Sequence, residues 1–255
     1  MRRAGPPGRS TAQRELYGAP DPVWMLPMHL RSDLIRMGRL GWTMWQSRRV
    51  TGWTRGEEAA RLAQVAYDLG ENATIVEIGS FLGCSTILLA GARKLRGSGK
   101  VHSVDPFDVS GDSFSVPVYE EIVGPRPATL RSRFERNLSR AGIRRWVEIH
   151  QGRAAEVART WKSRVDLLFL DGDQSMEGVQ AAYDAWSPFL LPGAVLVLHN
   201  SRPGYRRETH DGHARLAEAL VRTPEYGNVE HVGSTTFLRK RPPVSASGAG
   251  APRRA

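Results

Sequence analysis

From residue 74 onward, short apolar runs alternate with stretches of helical period, and this alternation predicts the fold. Thr74–Ile78, Lys100–Asp105, Trp146–His150 and Val165–Leu170 read as strands, and a further apolar strand after Pro192-Gly193 ends in His199-Asn200. The segments between them are helical in spacing: one opens at Ser85, one carries Leu130, Phe134, Leu138 and Ala141 before Gly142, one covers 153–162, and one precedes Trp186. Thr54 with Glu57 three residues on predicts a capped helix over 55–69 that Gly70 ends. Asp211 is placed to cap a helix over 212–222, and 227–232 and 234–239 read as a strand pair around Gly233. The sum is an α/β chain with a doubly wound, mostly parallel sheet and a terminal antiparallel pair. Residues 106–126 have no period and many turn formers. They leave the carboxyl end of a strand, so we expect a lid over the ligand crevice, with Phe107, Phe114 and Tyr119 lining an acceptor pocket.

The polar residues that end the strands carry the candidate chemistry. The first strand runs into Glu77-x-Gly79-x-x-x-Gly83, a glycine turn that bares backbone at the start of a helix. A dinucleotide turn would need a third glycine at the spacing G-x-G-x-x-G, which this stretch lacks. Asp105 ends the second strand, where an acid can accept both hydroxyls of a ribose. Asp171-Gly172-Asp173 follows the fourth strand and His199-Asn200 the fifth. All of these fall on one carboxyl edge, which is where ligands bind in open α/β sheets.

Composition narrows the class. The 255 residues are 40% hydrophobic, enough for one sizeable core. Domain organisation reads as a leader over 1–20, an N-terminal extension or cap over 21–55, the α/β domain over 56–240 and a tail over 241–255, leader and tail both expected to be disordered. The extension holds Trp24, Met25, Leu26, Met28, Leu34, Met37, Leu40, Trp42, Met44 and Trp45, so it must pack on the core, cap the pocket or form a homo-oligomer surface. The net charge of +10 is concentrated in arginine-rich ends, including Arg2, Arg3, Arg9, Arg253 and Arg254, which argues against a nucleic-acid partner. A single cysteine, Cys84, excludes an internal disulfide and a CxxC-type zinc site and fits a cytoplasmic protein. No apolar run is long enough to span a bilayer, and no secretory signal follows the first arginines.

The run 74–89, TIVEIGSFLGCSTILL, resembles the first motif of class I S-adenosylmethionine-dependent methyltransferases, whose fold is a Rossmann-like seven-stranded sheet. The run LFLDGDQSMEGV and the W-x-P-x-L-x-P-G turn that follows it resemble the group that includes cephalosporin hydroxylase-like proteins and, more distantly, cation-dependent catechol-type O-methyltransferases. The resemblance covers about 52–240. It implies transfer of a methyl group to a small-molecule acceptor, at a hydroxyl oxygen, of the kind met in natural product or sugar chemistry.

It also implies a cofactor site of Glu77, Gly79, Ser80, Gly83 and Ser85 at the glycine turn, Asp105 at the ribose, Gln151, Gly152 and Arg153 beside the adenine, and Asp171. In metal-dependent relatives the positions of Asp171, His199 and Asn200 hold Mg²⁺. Here His199 stands where they carry a carboxylate, and magnesium prefers oxygen ligands, so a softer ion or none is expected. Gln174 and Met176 stand where the closer group has His and Tyr, and glutamine cannot act as a base. His199 and Asp173 are then the candidate general bases. Two alternatives are a non-catalytic accessory protein on the same fold and a nicotinamide-dependent oxidoreductase.

Overall fold

The computed structural model describes residues 38, 40–125 and 129–242, and its strands form one seven-stranded sheet in the order β3-β2-β1-β4-β5-β7-β6. The strands are β1 (Thr74–Ile78), β2 (Lys100–Asp105), β3 (Val147–Gln151), β4 (Val165–Leu170), β5 (Leu190–Leu198), β6 (Tyr226–Val232) and β7 (Thr235–Lys240). The first five pair in parallel; β7 runs antiparallel to both β5 and β6. The expected architecture is therefore present. β1 and β4, central in the sheet, are apolar because both faces are covered.

The helices are α1 (Leu40–Arg48), α2 (Gly56–Asp68), α3 (Cys84–Arg96), α4 (Ser115–Val123), α5 (Leu130–Arg140), α6 (Ala154–Ala158), α7 (Met176–Trp186) and α8 (Gly212–Val221). One core joins α1 to α5 and one sheet face through Leu62, Leu88, Phe134 and Phe169; the other joins α6 to α8 and the opposite face through Leu168, Trp186 and Leu196. Of the N-terminal extension, the described part is α1, and it docks onto the core. Leu40, Met44 and Ser47 are buried, and Thr43 lies so close to Gly91 of α3 that a Cβ there would collide with it. Trp42 and Trp45 stack on each other on the outer face. The leader over 1–20, residues 21–37 and the tail beyond 242 lie outside the described residues.

Four local expectations are corrected. The expected lid over 106–126 contains a helix, α4, in which Val123 is buried in the core and Ser115, Val118 and Tyr119 line the crevice. The helix expected over 55–69 begins at Gly56, because Glu58 and not Glu57 reaches back to the Arg55 amide, at 3.3 Å, leaving Thr54 buried ahead of the helix. The helix expected over 153–162 is limited to the five residues of α6. Asp211 makes no cap at α8; its carboxylate pairs with Arg215 at 2.9 Å.

Candidate active site

The crevice lies at the carboxyl ends of β1, β2, β4 and β5. Gly79 (φ +86°) follows β1, and its backbone crosses so close to the end of β4 that a Cβ would strike the Asp171 carbonyl and Gly172. Gly83 (φ +93°) precedes α3, and a side chain there would press on Phe134 at 3.1 Å. Both glycines are thus demanded by the turn and its packing, and Gly79 lines a cavity with Trp53, Ser80, Phe81, Cys84, Ser85, Tyr119 and Asp171.

Glu77 sits beneath that turn with no solvent exposure. Its Oε2 accepts from Ser80 Oγ at 2.8 Å and from Thr86 Oγ1 at 2.5 Å, while Oε1 has no hydrogen-bond partner. Burial raises its carboxyl to about 7, which the hydroxyls of Ser85, Thr86 and Ser80 offset only in part. A buried acceptor without a donor is costly, so this oxygen marks a place for a cationic or N–H group. Asp105 is engaged at both oxygens: Oδ2 accepts from the Ser80 and Phe81 amides at 2.8 and 2.9 Å, and Oδ1 from the Phe107 amide at 2.6 Å. It ties the glycine turn to β2, and its burial raises its pKa.

Asp171 and His199 meet, as the spacing of the two strand ends implies, but as an ion pair. His199 Nδ1 lies 2.8 Å from Asp171 Oδ1 in a hydrogen bond, while its buried Nε2 lies 3.4 Å from Glu58 Oε1, within ion-pair range but without a hydrogen bond. The ring is 2% exposed; burial alone would lower its pKa, yet the two carboxylates hold it well above the ordinary histidine value. Glu58 is pushed up by burial, but His199 and Ser234 outweigh that and bring it down to about 2. Its Oε2 also accepts from the Ser234 amide and hydroxyl and from Thr235 Oγ1, at 2.8, 2.7 and 3.0 Å. A buried carboxylate–imidazolium–carboxylate chain therefore runs from α2 across β5 to β4.

On the far side of Asp171 is a second cavity, lined by Trp53, Val118, Tyr119, Gln174, Asn200 and His210. Gln174 is buried and its Oε1 has no partner. His210 is buried too: its Nδ1 lies 3.2 Å from Asp112 Oδ1 and 3.3 Å from Ser115 Oγ. Burial favours the neutral acid at Asp112, but His210 and Ser115 bring its pKa down to about 2. With Nδ1 held by Asp112 and Ser115, the other ring nitrogen of His210 is Nε2. Trp53, Phe81 and Tyr119 form a three-ring cluster, with centroids 4.9–5.6 Å apart, where the two cavities meet. The first cavity lies between these rings and the glycine turn.

The other residues singled out from sequence lie elsewhere. Asp173 is exposed and accepts from the Ser175 amide at 2.9 Å at the start of α7, lining neither cavity. Gln151 and Arg153 are exposed at the end of β3; Gln151 accepts from Arg131 at 2.6 Å, and the Gly152 amide donates to the Asp105 carbonyl at 3.1 Å. Of the three loop aromatics, Tyr119 lines both cavities, Phe114 packs on His210, and Phe107 is buried against Phe134 in the core. Glu58 and Asp112 were not anticipated. Glu58 is one of two acids in the first turn of a helix, and nothing in its spacing says that it reaches β5. Asp112 lies in a stretch without period.

The strand order, with an antiparallel pair closing the sheet and an acid under a glycine turn, is a Rossmann-like seven-stranded architecture. Residues 76–201, from β1 to just past β5, match a family model described as a methyltransferase domain. Solved structures share the fold. The O-methyltransferase TomG from Streptomyces achromogenes, involved in tomaymycin synthesis and determined in complex with SAM, superposes with a TM-score of 0.54 at 19% identity, over 80% of this chain and 90% of that one. An O-methyltransferase from Bacillus cereus in complex with SAH gives 0.51 at 17% identity, over 86% and 94%. The O-methyltransferase NovP gives 0.56 at 15% identity, over 72% and 79%. Among the described residues no helix is long and apolar enough to cross a membrane.

Proposed function

We propose that this chain transfers a methyl group from S-adenosylmethionine to a hydroxyl oxygen of a small-molecule acceptor, with His210 as the general base. The observation that carries the reading is two buried oxygens without donors, Glu77 Oε1 beneath the glycine turn and Gln174 Oε1 in the lining of the second cavity. The first suits the ammonium of an amino-acid moiety against the glycine turn; the second suits a donor group of the acceptor. When bound, S-adenosylmethionine would supply an electrophilic methyl carbon for the acceptor oxygen, with the thioether S-adenosylhomocysteine as the leaving group. His210 takes the hydroxyl proton at Nε2, and Asp112 and Ser115 fix the ring by its other nitrogen. Trp53, Phe81 and Tyr119 exclude water once closed. Acceptors carrying aromatic or sugar hydroxyls, as in natural product assembly, fit a pocket walled by rings and amides.

A divalent cation does not fit this donor set. His199 faces a carboxylate at each nitrogen and serves as an internal cation beside Asp171, where metal-dependent relatives are expected to hold Mg²⁺. Its pairing also leaves it no lone pair with which to act as a base. Formation of S-adenosylhomocysteine with a panel of phenols and sugars tests the proposal. With an accepted substrate, His210→Gln is expected to lower kcat about 10²–10⁴-fold with cofactor affinity unchanged, and EDTA is expected to have no effect. A His210→Gln rate within threefold of the parent, or activity restored only by Mg²⁺, overturns it.

A further inference from the structure

We infer a metal site remote from the crevice: His102, His150 and Glu148 together form a binding site for one zinc-like divalent transition-metal ion. The parallel register of β2 and β3 sets His102 opposite Glu148 and Val104 opposite His150, so all three side chains project from the same face of the sheet at its β3 edge. Three ligand atoms, one from each residue, lie within 4.8 Å of one another. His102 Nδ1 is 3.1 Å from His150 Nε2 and 3.4 Å from Glu148 Oε2. Four-coordinate zinc with bonds of about 2.0–2.1 Å keeps neighbouring ligand atoms about 3.3 Å apart. The two separations from His102 match that edge to within a few tenths of an ångström, and the third pair lies within 4.8 Å, so an ion enters without a change of strand register.

The surroundings favour a metal over a bare hydrogen bond. Trp161 meets both imidazoles edge-on, at 4.7 and 5.7 Å, and holds them in place, its own Nε1 anchored on the Ser163 carbonyl at 2.7 Å. The Glu148 side chain is 51% exposed against 14% for His102, which gives an entry path and leaves a fourth position for water. Lys100 is drawn off to the Arg145 carbonyl at 2.8 Å. Two imidazoles and one carboxylate select Zn²⁺, Co²⁺, Ni²⁺ or Cu²⁺ over Mg²⁺. None of the three residues lines either cavity. The ion clamps the edge strand to β2 immediately ahead of Gln151 and is structural, so the site stands or falls apart from methyl transfer.

The test uses the full chain, free of affinity tags and stripped of metal. Calorimetric titration with Zn²⁺ is expected to show one ion per chain at micromolar affinity or tighter, and Co²⁺ is expected to give the intense visible bands of a four-coordinate site. His150→Gln is expected to weaken binding at least about 100-fold and Glu148→Gln at least about 10-fold, with S-adenosylhomocysteine affinity unchanged in both. Glu148 is exposed enough that its variant folds, so it decides the matter if His150→Gln does not fold. Affinity weaker than millimolar, or equal affinity in the parent and Glu148→Gln, overturns the inference.

Discussion

Replacing His199 by Gln removes the cation from a buried chain of two carboxylates and measures what that cation is worth. In the fold, Glu58 falls from 4.5 to about 2, and His199 contributes most of the lowering. Each pKa unit is about 1.4 kcal/mol, so the net lowering is worth about 3 kcal/mol, shared between His199 and Ser234 after burial has opposed it. Ser234 and Thr235 survive the substitution and keep some of it, while Asp171 loses a partner as well. A cost of about 2–4 kcal/mol follows, in line with removal of one member of a buried ion pair, and it lowers the Tm by about 5–15 °C for a domain of this size.

The pH dependence is the sharper signature. Glu58 has a depressed folded pKa, so its contribution is present above 4.5 and is lost as pH falls toward 2. His199 has a raised one, so its contribution is full below 6.5 and is lost as pH rises through the folded value. The difference in stability between parent and His199→Gln is therefore largest from about pH 4.5 to 6.5 and shrinks on both sides. Urea unfolding across pH 3–9 reads it directly. A difference that is flat across that range, or below about 0.5 kcal/mol, refutes the charged-chain account and leaves only packing. In the same experiment His199→Asp turns the internal cation into a ligand, and Mg²⁺ is expected to stabilise that variant and not the parent.

Two further outcomes follow from the geometry. Glu77 titrates near 7 without ligand, so an ammonium group placed against Oε1 expels a proton; the binding heat of S-adenosylhomocysteine at pH 6.5 is expected to change with buffer ionisation enthalpy in the parent and not in Glu77→Gln. Gly91→Ala drives a methyl group into Thr43 of α1, and a loss of about 1–3 kcal/mol in denaturant unfolding is expected from such overpacking.

The sheet was legible because β1, β4 and β5 are largely apolar runs that end in polar residues, and parallel strands buried on both faces leave that trace. The position of the crevice followed from the same strand ends. Three things were not legible. Residues 106–126 mix turn formers with the residues of α4, whose helix is set by packing over the crevice and not by its own period. Glu58 and Asp112 act across 141 and 98 residues of chain, on His199 and His210, and sequence spacing carries no such distance. Arg93 looks like one more exposed arginine on a helix, yet it is fully buried and donates to the Ala66, Leu69 and Gly70 carbonyls, closing the end of α2. The charge of His199 was hidden for the same reason: strand-end position brings it to Asp171, and only the fold brings Glu58 to its other side.

The central claim is that the glycine turn and Glu77 hold S-adenosylmethionine. Calorimetric titration with S-adenosylhomocysteine, run on the parent, Glu77→Ala and Gly79→Arg, tests it most directly. One site per chain at micromolar affinity, lost in both variants, is the predicted result. No heat of binding from parent protein that unfolds cooperatively would contradict it.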